Sequence, residues 1–357
     1  MERAADTFTG VAGPFFVGFA CLLMGTGVLV FFEIIAPGLP WPLVTVPLCL
    51  LIASNLLAHY YYVCTTHPGT PNDGLGTGEG RGRSWAPKRR GGVQWSPVNL
   101  GASREGDVPR CNKCQGLKPE FGWDNAYSMN PRHDRTFSVW LVSQLVEYPL
   151  ADSGSKTFFS SVNKRGVSNV YQQKSVPNLM TVPKGINQCV GLRNERHFIL
   201  FMFYFVVATF CFVLAGYPKV WPALDFGMNP WPHRTPEMVY LIIYILCLAL
   251  GLAVSVMLLW NIYQIGKGVT TVEGYDHGIY SDRAQSRGET FVNSYDLGFS
   301  KNLAYFFNVI PTGYPLWVLL LPLRTAPYTD GFVWARRHGY TQHGGLREGE
   351  EMTDDED

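Results

Sequence analysis

Charge is scarce in this chain: 16% of its 357 residues are Asp, Glu, Lys or Arg, against 47% that are hydrophobic. Soluble domains carry about 25% charged residues, so a large soluble core is excluded. The net charge of +1 gives no global field and no argument for nucleic acid as a partner. Cysteine is also thin where a secreted disulfide framework would need it. Cys21, Cys49, Cys211 and Cys247 lie inside apolar runs, and Cys64 ends one, so they read as small core residues rather than bridge partners. A basic flank is nearly absent before the first apolar run, and that run is long enough to span a membrane. A cleaved secretory leader is therefore not expected. The shortage that matters most is local: after Cys111 and Cys114 the next cysteine is Cys189, and His133 is the one histidine between them.

What is present is four apolar runs, each near or above the ~20 residues that cross a bilayer as a helix. They cover Gly13 to Ala36, which carries only Glu33, then Trp41 to Cys64 after the "PGLP" turn, Phe198 to Tyr217, and Met238 to Tyr263. Four spans put both termini and the 65–197 loop on one side. Of the 29 Lys and Arg residues, 18 fall in 65–197, eight follow residue 263, and only Lys219 and Arg234 lie between the third and fourth runs. Arg193, Arg196 and Lys267 directly flank those spans, so the positive-inside rule makes the loop and termini cytosolic.

The fold class is thus an α-helical polytopic membrane protein with a cytosolic loop domain between spans two and three. The expected divisions are 1–64, the N-terminal tail and first two spans, and 65–110, a flexible basic linker containing "GLGTGEGRGR" and "APKRRGG". Residues 111–197 follow as a loop domain, 198–263 as the last two spans, 264–323 as a cytosolic C-terminal domain, and 324–357 as a tail ending in the acidic "EGEEMTDDED". The glycines at 74–82 lack the strand and helix that a phosphate loop needs and read as linker. Within the loop domain, 121–184 is polar and rich in Ser and Asn, without a convincing amphipathic period, and no fold is assigned to it. The run "TGYPLWVLLLPL" is too short and too proline-broken to span, so it docks on the helix bundle or lies at the interface.

The Cys111–x–x–Cys114 spacing is that of one zinc knuckle, which offers two thiolates to one ion. Its setting carries more information. "RCNKCQGLKPE" opens the loop domain, and "INQCVGLRNERHFILFMFY" runs from its end into the third span. "TTVE" (Thr270, Thr271, Val272, Glu273) follows the fourth span, and "SYDLGFSKNLAYFFNV" centres on Asn302 with Tyr305, Phe306 and Phe307 behind it. "THPGTP" follows the second span, with His67 where a D-P-G motif would have its aspartate. Each stretch alone is weak. Five in this order around four spans resemble the DHHC protein S-acyltransferases (palmitoyltransferases).

The resemblance implies a two-step exchange. A cysteine in Asp-His-His-Cys attacks the thioester carbon of an acyl-coenzyme A and coenzyme A leaves as its thiol; a client protein's cysteine then takes the acyl group from the enzyme. It also implies zinc held by a cysteine-rich domain, acyl-CoA as donor, cytosolic or membrane clients with acceptor cysteines, contact with membrane lipids, and residence in the endoplasmic reticulum or Golgi. Thr270, Thr271 and Glu273 would pack polar groups against the catalytic segment. Thr and Glu at that spacing also form an ordinary capping box. Asn302 would satisfy backbone groups where the tail meets the bundle, while Tyr295, Phe306 and Phe307 would be packing anchors.

The chain departs from the family between Glu120 and Gly185. There is no D-H-H-C segment and no cysteine in 121–184, so no catalytic residue can be assigned. Cys111 and Cys114 would be two ligands of one zinc ion and Cys189 one ligand of another, which leaves both sites incomplete; His133 in "RHDR" reads as a solvated charge cluster. Cys64 and Cys189 lie near the membrane surface but lack a neighbouring His and Asp to activate a thiol. His197 reads as a packing or headgroup residue. The expected function is that of a family member without its nucleophile, hence inactive as written. The alternatives are a non-catalytic four-span protein that binds acyl chains or clients, or a mis-spliced gene model, since good family pattern stands on both sides of an abrupt boundary.

Overall fold

The computed structural model describes residues 2–66, 94–97, 190–225, 231–269, 271–309, 313–328, 333–340 and 342–347. Its frame is four long helices: α1 (Glu2–Val30), α2 (Pro42–Thr65), α3 (Glu195–Leu224) and α4 (Glu237–Lys267). Each contains a segment long and apolar enough to cross a membrane, with α1 continuing through a π turn at Phe31–Ile35 and a 3-10 turn at Ala36–Gly38. The molecule is a polytopic helical membrane protein. The helices outrun the apolar runs by up to about three turns, because capping and polar ends continue a helix past the point where hydropathy stops marking it.

α3 is the hub, packed on both α2 and α4. Small residues set its approach to α4: a side chain at Gly251 would come within 2.7 Å of the Thr209 hydroxyl, and one at Gly216 within 2.7 Å of the Tyr240 hydroxyl. Such close backbone approach is what packs helices where lipid removes the hydrophobic drive between them. Glu33, the one charge of the first span, holds the loop between α3 and α4 by accepting from the Arg234 and Thr235 amides (2.7 and 3.0 Å) and the Thr235 hydroxyl (2.7 Å).

After α4, Gly268 takes a left-handed φ of +61° and turns the chain into α5 (Thr271–Ser286). α6 (Phe299–Phe306) follows and buries Phe306 against Val63, Phe198 and Leu258 of three spans. The C-terminal lobe is closed by an aromatic cluster in which His343 meets the rings of His277, Phe291 and Tyr295 at 5.2, 5.5 and 5.7 Å. Part of the stretch expected to be flexible linker is ordered: β1 (Gln94–Pro97) pairs antiparallel with β2 (Val333–Arg336), Gln94 opposite Arg336. Its partner strand comes from the far end of the chain, so no local pattern marks it.

Candidate functional site

Three apolar clusters knit the bundle, one of them built on Leu56, Leu200 and Tyr204; the other two lie at its ends. One joins Phe31, Ile34 and Ile35 to Phe212 and Tyr240; the other, at the end that carries the C-terminal lobe, joins Val63, Phe198, Met202 and Leu258. Between them the spans enclose a cavity of about 120 Å³ to which all four contribute, with Met24, Gly27 and Phe31 from the first, Cys49, Ile52 and Leu56 from the second, Phe205, Ala208 and Phe212 from the third and Ile243, Leu246 and Leu250 from the fourth. The one hydroxyl in this wall belongs to Thr209, and it donates back to the Phe205 and Val206 carbonyls at 2.9 and 3.0 Å. The space therefore offers an occupant no free polar group and suits a hydrocarbon chain. Cys49, Cys211 and Cys247, expected as core residues, all stand in this wall.

Toward the C-terminal lobe, beyond the cavity, the bundle interior turns polar. His59 on α2 and His197 on α3 are fully buried, stacked at 5.3 Å, with their Nδ1 atoms 3.1 Å apart; one ring donates and the other accepts. Tyr204 stacks on His59 at 5.9 Å and Tyr62 lies 5.0 Å from His197. Asn194, also buried, accepts from the Gly191 amide (2.6 Å) and donates to the Thr66 carbonyl (3.1 Å), tying the start of α3 to the end of α2. The packing expectation for His197 holds, but its partner, 138 residues away, could not be read from either helix. The only signal was that each histidine sat at a span end among aromatics.

The sequence-marked residues divide sharply. Asn302 is 7% exposed and makes three bonds: its Nδ2 donates to the Gly266 carbonyl (2.9 Å) and Asp296 Oδ1 (3.1 Å), and its Oδ1 accepts from the Leu297 amide (3.1 Å). It ties the last turn of α4 to the loop before α6. Phe306 packs into the span cluster, while Tyr295 carries the Arg336 guanidinium 4.5 Å over its ring. Thr271 and Glu273 lie in the first turn of α5, whose side chains there are outside the described residues, as are Thr270, Cys111, Cys114, His133 and Cys189.

No group of three His, Cys, Asp or Glu side chains able to hold a metal occurs among the described residues. The zinc donors legible in the sequence are three cysteines for two four-coordinate sites, so the donor set does not fit two structural zinc ions. Cys64 shares a hydrogen bond with the Tyr60 side chain and packs with the Val63–Phe198 cluster. The two buried imidazoles of the spans, His59 and His197, are bonded to each other.

Comparison with known proteins agrees with this geometry. Residues 184–278 match the DHHC palmitoyltransferase family model. That stretch runs from just before Cys189 through α3 and α4 into α5, and starts where the atypical 121–184 stretch ends. The chain is 30% identical over 119 residues to the probable protein S-acyltransferase 15 of Arabidopsis thaliana, covering 33% of this chain and 45% of that protein. It is 30% identical over 114 residues to palmitoyltransferase ZDHHC16A of Danio rerio, covering 31% and 30%. With palmitoyltransferase ZDHHC16 of Mus musculus the figures are 25% over 162 residues, 43% and 45%. The matches span less than half the length of these relatives. Four spans around an apolar cavity, an asparagine clasp behind the fourth, and a match across the last two spans agree in one conclusion: over residues 184–278 the chain is similar to the DHHC palmitoyltransferases.

Proposed function

We propose that this chain is a family member that holds a fatty acyl chain between its spans but does not transfer it. The observation that carries the reading is the conjunction of an apolar, four-helix cavity with a sequence that has no cysteine between Cys114 and Cys189 to serve as nucleophile. Acyl-CoA is the donor class whose acyl chain suits such a cavity. A client protein cysteine is the acceptor class that the family reaction serves. In an intact family member a thiolate, activated by an adjacent imidazole, attacks the thioester carbon and expels the coenzyme A thiol. Here the buried imidazoles of His59 and His197 engage each other rather than a thiol. No step is routed through zinc.

The membrane placement follows from charge: both termini and the 65–197 loop cytosolic, in the endoplasmic reticulum or Golgi by family. The test is in-membrane incubation of this exact chain with a clickable palmitoyl-CoA analogue, followed by hydroxylamine, beside a photoreactive acyl probe. Expected are no hydroxylamine-labile label and photo-crosslinks to cavity residues. A labile label that disappears in Cys64→Ala or Cys189→Ala would overturn the reading.

A second reading rests on the abrupt edges of 121–184: an exon-level replacement of a D-H-H-C segment that other transcripts retain. Sequencing transcripts across codons 115–190 decides it, and transcripts that encode only the present stretch would exclude it.

A further inference from the structure

The apolar run "TGYPLWVLLLPL" neither spans nor lies flat, and the geometry points to a re-entrant membrane loop. We assign 313–324 as a segment that enters the leaflet on the side of the C-terminal lobe, buries its tip among lipid acyl chains and leaves by the same face. The inference does not depend on acyl transfer.

Three hydrogen bonds fix its depth. Asn55 Nδ2 on α2 donates to the Leu320 carbonyl at 2.9 Å, and the Tyr204 hydroxyl on α3 donates to the Leu319 carbonyl at 2.7 Å. Nearer the helix end, the Tyr62 hydroxyl donates to the Pro322 carbonyl at 3.1 Å. At the exit, the Arg324 guanidinium donates to the Thr66 hydroxyl at 2.6 Å, where α2 ends. These partners form a ladder along α2, from Asn55 to Tyr62 to Thr66. The entry arm starts at the same level as the exit: the Tyr314 ring is buried 5.8 Å under the guanidinium of Arg196, the second residue of α3.

The charge-free run of α3 from Phe198 to Tyr217 is 20 residues, about 30 Å of helix, which matches the hydrocarbon thickness of a bilayer. Tyr204 lies six residues inside that run, about 9 Å below its edge at 1.5 Å per residue. The carbonyls of Leu319 and Leu320 therefore sit within the hydrocarbon of one leaflet. Non-helical backbone survives at that depth only where its polar groups are satisfied by protein. Asn55 and Tyr204 supply that satisfaction, which accounts for a buried asparagine in the middle of an apolar span.

The outward face completes the argument. Leu316, Trp317 and Leu320 are 68%, 53% and 57% exposed, while Val318 between them is buried against the bundle. In water this tip would be an apolar patch on a short turn. At the depth set by Asn55 and Tyr204 it faces acyl chains, and the loop pins the C-terminal lobe to the bundle at a second point beyond α4.

The experiment uses the unmodified chain in phosphatidylcholine vesicles with two reagents, a lipid bearing a diazirine on its acyl chain and a water-soluble carbene precursor, read by peptide mass spectrometry. Expected are acyl-chain adducts on 316–321 with little aqueous label there, and the reverse on peptides containing Lys301 and Arg337. Aqueous labelling of 316–321 equal to that of those peptides, with or without acyl adducts, would overturn the loop. In Asn55→Leu and Tyr204→Phe, aqueous labelling of 316–321 is expected to rise several-fold while the four spans keep their acyl adducts. Unchanged labelling in both folded variants would show that these side chains do not set the depth.

Discussion

Asn302 offers the sharpest quantitative test, because its three bonds span the join between the last span and the C-terminal lobe. Asn302→Ala removes the donor to the Gly266 carbonyl and the acceptor of the Leu297 amide, both at a position 7% exposed. A buried polar group left without a partner costs about 1–3 kcal/mol. Two such groups, partly relieved by water entering the gap, make the clasp worth about 2–4 kcal/mol. At about 1.4 kcal/mol per decade, opening of this join becomes about 30- to 1,000-fold more frequent. Hydrogen exchange by mass spectrometry on the peptide covering 293–306, in nanodiscs, reads that change as lost protection at Leu297 and its neighbours. The control is Lys301→Ala, one residue away but solvent-exposed, expected within about 0.5 kcal/mol of the parent. Asn302→Asp should be no milder than alanine, since it keeps the acceptor, loses the amide donor and puts a charge beside Asp296. Equal exchange in Asn302→Ala and Lys301→Ala would refute the clasp.

Three further outcomes are expected. Burial holds His343 near a pKa of about 3 and His277 near about 4, and the His343 Nδ1 accepts from the Ser294 amide at 3.1 Å, so both are neutral in the folded lobe. The unfolded chain takes up their protons near pH 6.5, so stability is full above that pH and falls as pH drops toward 4. The slope is at most about 1.4 kcal/mol per unit for each histidine; thermal melts from pH 7.5 to 4.5 should show it, and His343→Phe should flatten it. A side chain at Gly266 would run into the Phe299 ring, so Gly266→Ala costs about 1–3 kcal/mol by overpacking. Adding Phe299→Ala should recover more than half of that loss, and simple additivity in the double mutant would refute the contact. Ala53→Trp, which fills the cavity between the spans, should lower acyl-probe crosslinking at least about tenfold, a change of about 1.4 kcal/mol in binding; undiminished crosslinking in a chain that still melts normally would move the acyl site elsewhere.

The order of apolar runs, the flanking arginines and the position of Asn302 after the fourth span were all legible along the chain. So was the missing nucleophile, which is a matter of composition between Glu120 and Gly185 and needs no coordinates. These features are local or countable: a helix in lipid must satisfy its own backbone, so about 20 apolar residues announce a span by themselves. The rest depended on which faces meet. His59 and His197 are bonded across 138 residues, and uniformly apolar helices carry little periodic signal to say which side of a span faces protein. Asn55 looked like one polar residue in a span until the 313–324 loop supplied the carbonyl it serves. "QWSP" looked like linker until Val333–Arg336 supplied the other strand. Sequence decided what must enter the membrane; tertiary contact decided what each polar group inside it was for, because a lone donor or acceptor in hydrocarbon is stable only when a partner reaches it.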